Sequence, residues 1–205
     1  MSEVTVAPIG LRDQKKDALR SRVANELIAL VSEGRLDLTH DLVAERLGIP
    51  RRTLYRYFPN QEALMQAAWD RVTALAGPNV TFPRCEDDLV NQLPDIYKGF
   101  DAIAPIATLV RSTPQGRAMR LSQKKRRVAS YLAATSDAVR QLPAKDRKLA
   151  VAILQVLHTT PWLEMRDHWE LKGEEIAEAC GWAIRTLLAD LRKRGSKPLQ
   201  EGPAS

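Results

Sequence analysis

The sequence predicts an all-α protein built as a small N-terminal head and a larger helical body. Three observations carry this. Apolar residues recur at steps of three and four along almost the whole chain. No segment combines polar/apolar alternation with β-branched enrichment, the mark of a strand. Glycine and proline cluster between the periodic runs, where helices start and stop. With 205 residues, 44% of them hydrophobic, the chain can bury a core without metals or disulfides. Cys85 and Cys180 are its two cysteines, so neither a disulfide framework nor a CxxC motif can be drawn, and a reducing cytoplasm fits best. No stretch approaches the roughly 18 apolar residues of a membrane span, and MSEVTVAPIG lacks the basic start and apolar run of an export signal.

The first helix is expected from Lys16 to Glu33, with Leu19, Val23, Leu27, Leu30 and Val31 on one face and Gly34 as its left-handed end. Thr39 then caps a short helix with Asp41 in its first turn, closed by Gly48 after Leu47. Pro50 presets the start of another short helix at Arg51. Asn60 caps a longer helix to Ala76 along the stripe Leu64, Ala68, Val72 and Leu75. Gly77-Pro78-Asn79 and Phe82-Pro83 read as a linker. Beyond it, helices are expected at 86–101, 103–112, 116–141, 144–170 and 174–194, with Pro94, Pro105 and Pro161 interrupting three of them. The domain plan is a flexible basic arm at 1–15, a head at 16–60, a body at 61–194 and a disordered tail at 195–205.

The informative stretch is LTHDLVAERLGIPRRTLYRYFPNQEAL, residues 38–64. A short helix, a glycine turn and a second short helix in close order form the helix-turn-helix pattern. Once Val43, Ala44, Leu47, Ile49, Leu54 and Phe58 are assigned to packing, Arg51, Arg52, Thr53, Tyr55 and Arg56 face outward on the second helix. Arginine can bond O6 and N7 of guanine, a threonine methyl can touch thymine, and tyrosine hydroxyls can bond phosphate. Two tyrosines, Tyr55 and Tyr57, among three arginines distinguish this face from an ordinary solvated one.

The head resembles the tetracycline-repressor (TetR) family of bacterial transcriptional regulators. The resemblance rests on Leu38-Thr39, Val43-Ala44, Leu47-Gly48-Ile49, Thr53-Leu54-Tyr55, Tyr57-Phe58-Pro59-Asn60 and Glu62-Ala63-Leu64, and spans Lys16 to Leu64 in detail. It implies a homodimer on a palindromic double-stranded DNA operator, most simply a repressor released by a small-molecule ligand. It also implies phosphate contacts from Thr39, His40, Tyr55 and Tyr57, and base contacts from Arg51, Arg52 and Thr53. Gln61 stands where the family usually places a phosphate-binding lysine, which removes one charge and predicts a shallower salt dependence. Pro50 stands where a serine cap is common. The basic residues Arg12, Lys15 and Lys16 either follow the DNA backbone or serve as a solubilising tail.

In the body, residues 149–157 are apolar at eight of nine positions, and Ile176, Ala179, Cys180, Ala183, Ile184, Leu187, Leu188 and Leu191 form a wide stripe. The resemblance places a dimer bundle at about 145–160 and 174–192. It also suggests an effector pocket, for which Tyr97, Phe100, Met119, Tyr131, His158 and Trp162 are the candidates, although aromatics at helical spacing also fill cores. No metal, phosphate-loop or nucleophile motif occurs, so neither a cofactor nor catalysis is expected. The alternatives are a helix-turn-helix regulator without an inducer and, more remotely, an all-α enzyme. The net charge of +6 is not concentrated in the head: residues 111–148 hold 11 basic and 2 acidic side chains, centred on Arg117, Arg120 and Lys124-Lys125-Arg126-Arg127. The ordinary reading of such a run is a solvated helix face, with auxiliary phosphate contacts or an anionic ligand as alternatives.

Overall fold

A computed structural model describes residues 11–35 and 37–202, which are helical without any strand. The head comprises α1 (Leu11–Ser32), α2 (His40–Leu47), α3 (Arg51–Tyr57) and α4 (Gln61–Ala76). The expected caps form: Thr39 Oγ1 accepts from the Leu42 N–H at 3.2 Å, and Asn60 Oδ1 accepts from the Ala63 N–H at 2.9 Å. Gly48 adopts φ 63° and ψ 34°, a left-handed conformation that turns the chain between α2 and α3. Helix α1 begins at Leu11, so residues 11–15 belong to a helix and not to an arm. The arm contacts expected of Arg12 lie outside the described side chains.

The body comprises α5 (Asp88–Asn91), α6 (Leu93–Ala102), α7 (Ala104–Ser112), α8 (Pro114–Ser122), α9 (Lys124–Ala134), α10 (Ser136–Val139), α11 (Ala144–Thr159), α12 (Trp162–Trp169) and α13 (Gly173–Arg194). Three long helices expected here are broken. The 116–141 segment bends at Gln123 and Thr135, whose backbones leave helical values with ψ near 3° and 5°. Both residues are buried and satisfy their side chains locally or across the seam: Thr135 Oγ1 donates to the Tyr131 carbonyl, and the Gln123 amide donates to Gln66 of α4. The 144–170 segment stops at Thr159 because Pro161 cannot continue the ladder. The 86–101 segment divides at Gln92. Pro94 and Pro105 sit in the first turns of α6 and α7, where no N–H is needed, so they start helices and do not kink them.

Two apolar cores result. One gathers Val23, Leu27, Leu30, Val43, Leu54, Phe58, Leu64 and Val72 of the head, and it extends to Val110 and Met119 of the body. The other lies between α6, α11 and α13 and is built on Tyr97, Ile96, Leu154, Trp162, Ile184 and Leu188. Helix α4 packs on α1 from one side and on α6 and α8 from the other, so the head and body meet along it and not at residue 60.

The broad stripe on α13 also divides. Ile176, Cys180, Ile184, Leu188 and Leu191 are buried within their own subunit, because α13 packs on α6 and α11. The tail expected to be disordered from 195 instead folds back as far as Glu201. Buried Arg194 pairs with Asp190 at 2.6 Å and donates to the carbonyls of Pro198 and Glu201, while the Leu199 N–H donates to Asp146. A short helix-terminal basic run thus acquires partners that local composition does not reveal.

At the seam, Gly99 of α6 lies against the Ala76 carbonyl at the end of α4, and a Cβ there would collide with that backbone. Gly99→Ala should cost about 1–3 kcal/mol through overpacking. This should appear as a melting temperature lower by roughly 2–4 °C per kcal/mol, measured by circular dichroism.

Candidate nucleic-acid interface and effector cavity

Burial sorts the α3 side chains as helical geometry demands. Leu54 and Phe58 face the core, and Arg51, Arg52, Tyr55 and Arg56 are exposed on the opposite side, with Thr53 and Tyr57 at the margin. The exposed face is held from below. His40 is buried, and its Nε2–H donates to the Phe58 carbonyl at 2.7 Å, which defines the proton-bearing nitrogen. Its ring stacks on Tyr55 with centroids 4.3 Å apart and planes 4° from parallel. The expected phosphate ligand His40 is therefore engaged in fixing the angle between α2 and α3 and in supporting Tyr55.

The remaining expected contacts are distributed around this platform. Arg51 pairs with Asp41 at 2.6 Å across the turn; because both are exposed, the pair is worth at most about 1 kcal/mol and yields readily to a base. Arg52 projects from the same turn. Arg56 lies 4.7 Å over the Tyr57 ring and donates to its hydroxyl. Gln61 donates to the Leu38 carbonyl at 2.6 Å, tying the start of α4 to the approach of α2. Thr39 is occupied as a cap acceptor but keeps a hydroxyl hydrogen. Behind these, Arg46 of α2 pairs with Glu26 of α1 and with Glu33 just past its end, so the reading helix stands on a braced scaffold.

Of the six residues expected to line an effector pocket, Phe100 packs edge-on against Tyr97 and Trp162, and Tyr131 against His158, but the six do not line a common cavity. Phe100 lines a cavity beside α4, whereas the other five do not. Tyr97 donates to the Leu157 carbonyl at 2.7 Å, and Trp162 Nε1–H donates to Asp101 at 2.8 Å, so both are core side chains with their polar atoms satisfied. Met119 packs into the head-side core. Tyr131 Oη lies 2.6 Å from His158 Nδ1, deep in the body. Burial pushes the Tyr131 hydroxyl up, so it keeps its proton.

The cavity itself measures about 210 Å³ and lies between α4 and the turns of α6 to α9. Trp69, Val72 and Thr73 of α4 form one wall, and Phe100, Arg111 and Arg127 face them. Sequence reasoning missed most of these residues. Breaks at Thr113 and Gln123 place Arg111, Arg120 and Arg127 on three separate helices, so no continuous helical period relates them.

Residues 27–68, from the middle of α1 to the middle of α4, match the family model described as bacterial regulatory proteins, tetR family. No curated protein and no solved structure gives a match. Among the described residues, no helix is long and apolar enough to cross a membrane.

Burial first, opposed by Asp88, pushes the His158 imidazole down to about 4 from its ordinary 6.5. The unfolded chain then binds more protons than the native one between these values. Stability should fall as pH is lowered from about 6.5 towards 4, and His158→Gln should flatten that slope in urea titrations at pH 6.5 and 5.

Proposed function

Because this chain belongs to the TetR family of DNA-binding transcriptional regulators, we propose that it acts in the cytoplasm as a homodimeric repressor, released from a palindromic operator by a small organic ligand. The observation that carries the reading is the exposed Arg51-Arg52-Tyr55 face of α3, braced through His40 and α2 onto the helix that runs into the body. In a helix-turn-helix protein, the recognition helix enters the major groove with its N-terminal residues on base edges. Arg51 and Arg52 occupy that end. Tyr55, Tyr57, Thr39 and Gln61 then face the flanking phosphates, where they fix register without reading sequence. Members of the matched family are transcription regulators, and we read this chain as a regulator.

Dimerisation is supported by apolar surface left uncovered on the two long C-terminal helices. Leu149, Ile153 and Val156 are exposed along one face of α11, and Trp182 on α13 is 68% exposed beside the half-buried Ala179 and Ala183. A large, exposed apolar face of this kind is a mark of an interface. A two-fold pairing through it presents two recognition helices to successive half-sites about 34–36 Å apart. Ligand release is supported by the position of the cavity against α4. A ligand that prefers one setting of this helix shifts the population of reading heads, and one without such a preference shifts nothing.

Arg52→Ala should weaken the specific operator complex by about 1–3 kcal/mol and relax base preference, while Tyr55→Phe should weaken all sequences alike. Operator and scrambled duplexes in fluorescence anisotropy separate the two effects, and unchanged operator affinity in both variants would refute the assignment. Light scattering after size exclusion should give twice the chain mass at micromolar concentration. Ile153→Glu with Trp182→Glu should give monomers that no longer hold the full palindrome. A regulator without an inducer would instead bind DNA normally and gain no thermal stability from any metabolite.

A further inference from the structure

The cavity beside α4 has an unusual charge pattern. Arg111 of α7, Arg120 of α8 and Arg127 of α9 converge on it from three successive helices. None has a carboxylate within salt-bridge distance among the described residues. The buried Nε–H groups of Arg120 and Arg127 have no hydrogen-bond partner. Asp70 also lines the cavity, but its Oδ1 accepts from Gln66. Aromatic faces offer partial compensation: Arg111 lies 4.4 Å over Phe100, and Arg127 lies 5.2 Å over Trp69 and 5.5 Å over Phe82.

Half-buried cations that face one another normally acquire an acidic partner, since desolvation and like-charge repulsion both oppose them. Here both effects act. Burial, with repulsion from Arg120 and Arg127 and partial relief from Tyr97, pushes the Arg111 guanidinium down to about 10, and burial also lowers Arg120 and Arg127. The missing negative charge fits a ligand better than a protein group, because the guanidinium fork matches carboxylate and phosphate oxygens. The lining also includes the apolar side chains Val72, Val110, Ile103 and Phe100.

We propose that this cavity binds a small organic anion, its charged group held by Arg111, Arg120 and Arg127 and its apolar body lying against Phe100, Val72 and Val110. The proposal rests on the ligand-responsive reading above and names the chemical class of the effector. A volume of about 210 Å³ lies below the roughly 300–1,000 Å³ of sites for drug-sized molecules, so the anion is compact, with one ring or a short chain. Its arrival relieves the repulsion among the three arginines, of which Arg120 lies on α8, packed against α4, and Arg127 stacks on Trp69 of α4, and it favours the setting of α4 in which all three guanidiniums reach it.

The test uses the full chain with phenylacetate, phenyl phosphate and the neutral phenylacetamide, in calorimetry and thermal melts. At least one anion should bind, raise the melting temperature by a few degrees and exceed the amide in affinity at least tenfold; whichever anion is preferred identifies the headgroup. Arg127→Gln and Arg111→Gln should each lower anion affinity at least tenfold and narrow the gap to the amide, with Arg127→Lys intermediate because it keeps charge without the fork. Lys124→Gln, an exposed neighbour on α9, should leave affinity unchanged. Melts of the unliganded variants establish that each is folded. Binding of the amide as tightly as the acids, no binding by any probe, or anion affinity unaltered in folded Arg127→Gln would each overturn the anion site. Tight anion binding that leaves operator affinity unchanged would uphold the site and sink the inducer reading, so the two failures are distinguishable.

Discussion

Helix α4 is packed on both flanks, and nearly every functional feature depends on that. Leu64, Ala68 and Val72 sink into the same core as Leu27 and Leu54, while Ala76 at its far end meets Gly99 of the body. A helix this short is not stable on its propensity alone and takes its position from the faces it buries. Because those faces pack on α1 of the head and on α6 and α8 of the body, α4 cannot move against the body without disturbing the seating of α1 and the reading helix. The same helix supplies Trp69, Val72 and Thr73 to the cavity wall. Head, seam and cavity are therefore mechanically continuous through close packing, which transmits small displacements and does not absorb them.

Within the head, rigidity comes from a few polar contacts at places where apolar packing cannot specify an angle. The turn between α2 and α3 is set by Gly48, but the exit of α3 is held by His40 bonding the Phe58 carbonyl. Stacking on the same imidazole gives Tyr55 a defined orientation at half exposure. The buried histidine thus does for the interface what a supporting residue does in an active site: it limits the freedom that binding would otherwise have to remove. The body follows a different rule. Its breaks at Thr113 and Gln123 sacrifice helix continuity, and they let α7, α8 and α9 bend around a common space.

The charge surplus illustrates how far sequence reading reaches. Residues 111–148 carry most of it, and its ordinary meaning would be solvated surface. The structure divides the run: Lys124 and Lys125 are exposed, whereas Arg111, Arg120 and Arg127 are half-buried around one cavity. The division depends on which way each side chain points after two helix breaks, and those breaks arise from side-chain bonding that periodicity does not register. The same limit explains why aromatic candidates such as Tyr131 and Trp162 turned out to be satisfied core residues.

Sequence by itself determined the helical class, the helix-turn-helix segment, its caps at Thr39 and Asn60, and the outward face of α3. These features follow from local rules: capping chemistry, a left-handed glycine and the 3.6-residue period all act within a few residues along the chain. Tertiary structure alone decided that α4 is packed by head and body helices alike, that α13 spends most of its apolar stripe inside its own subunit, and that three arginines from three helices meet with no carboxylate in salt-bridge distance. Each of these is a relation between residues distant in the chain, set by how broken helices pack, and no local period or propensity encodes it.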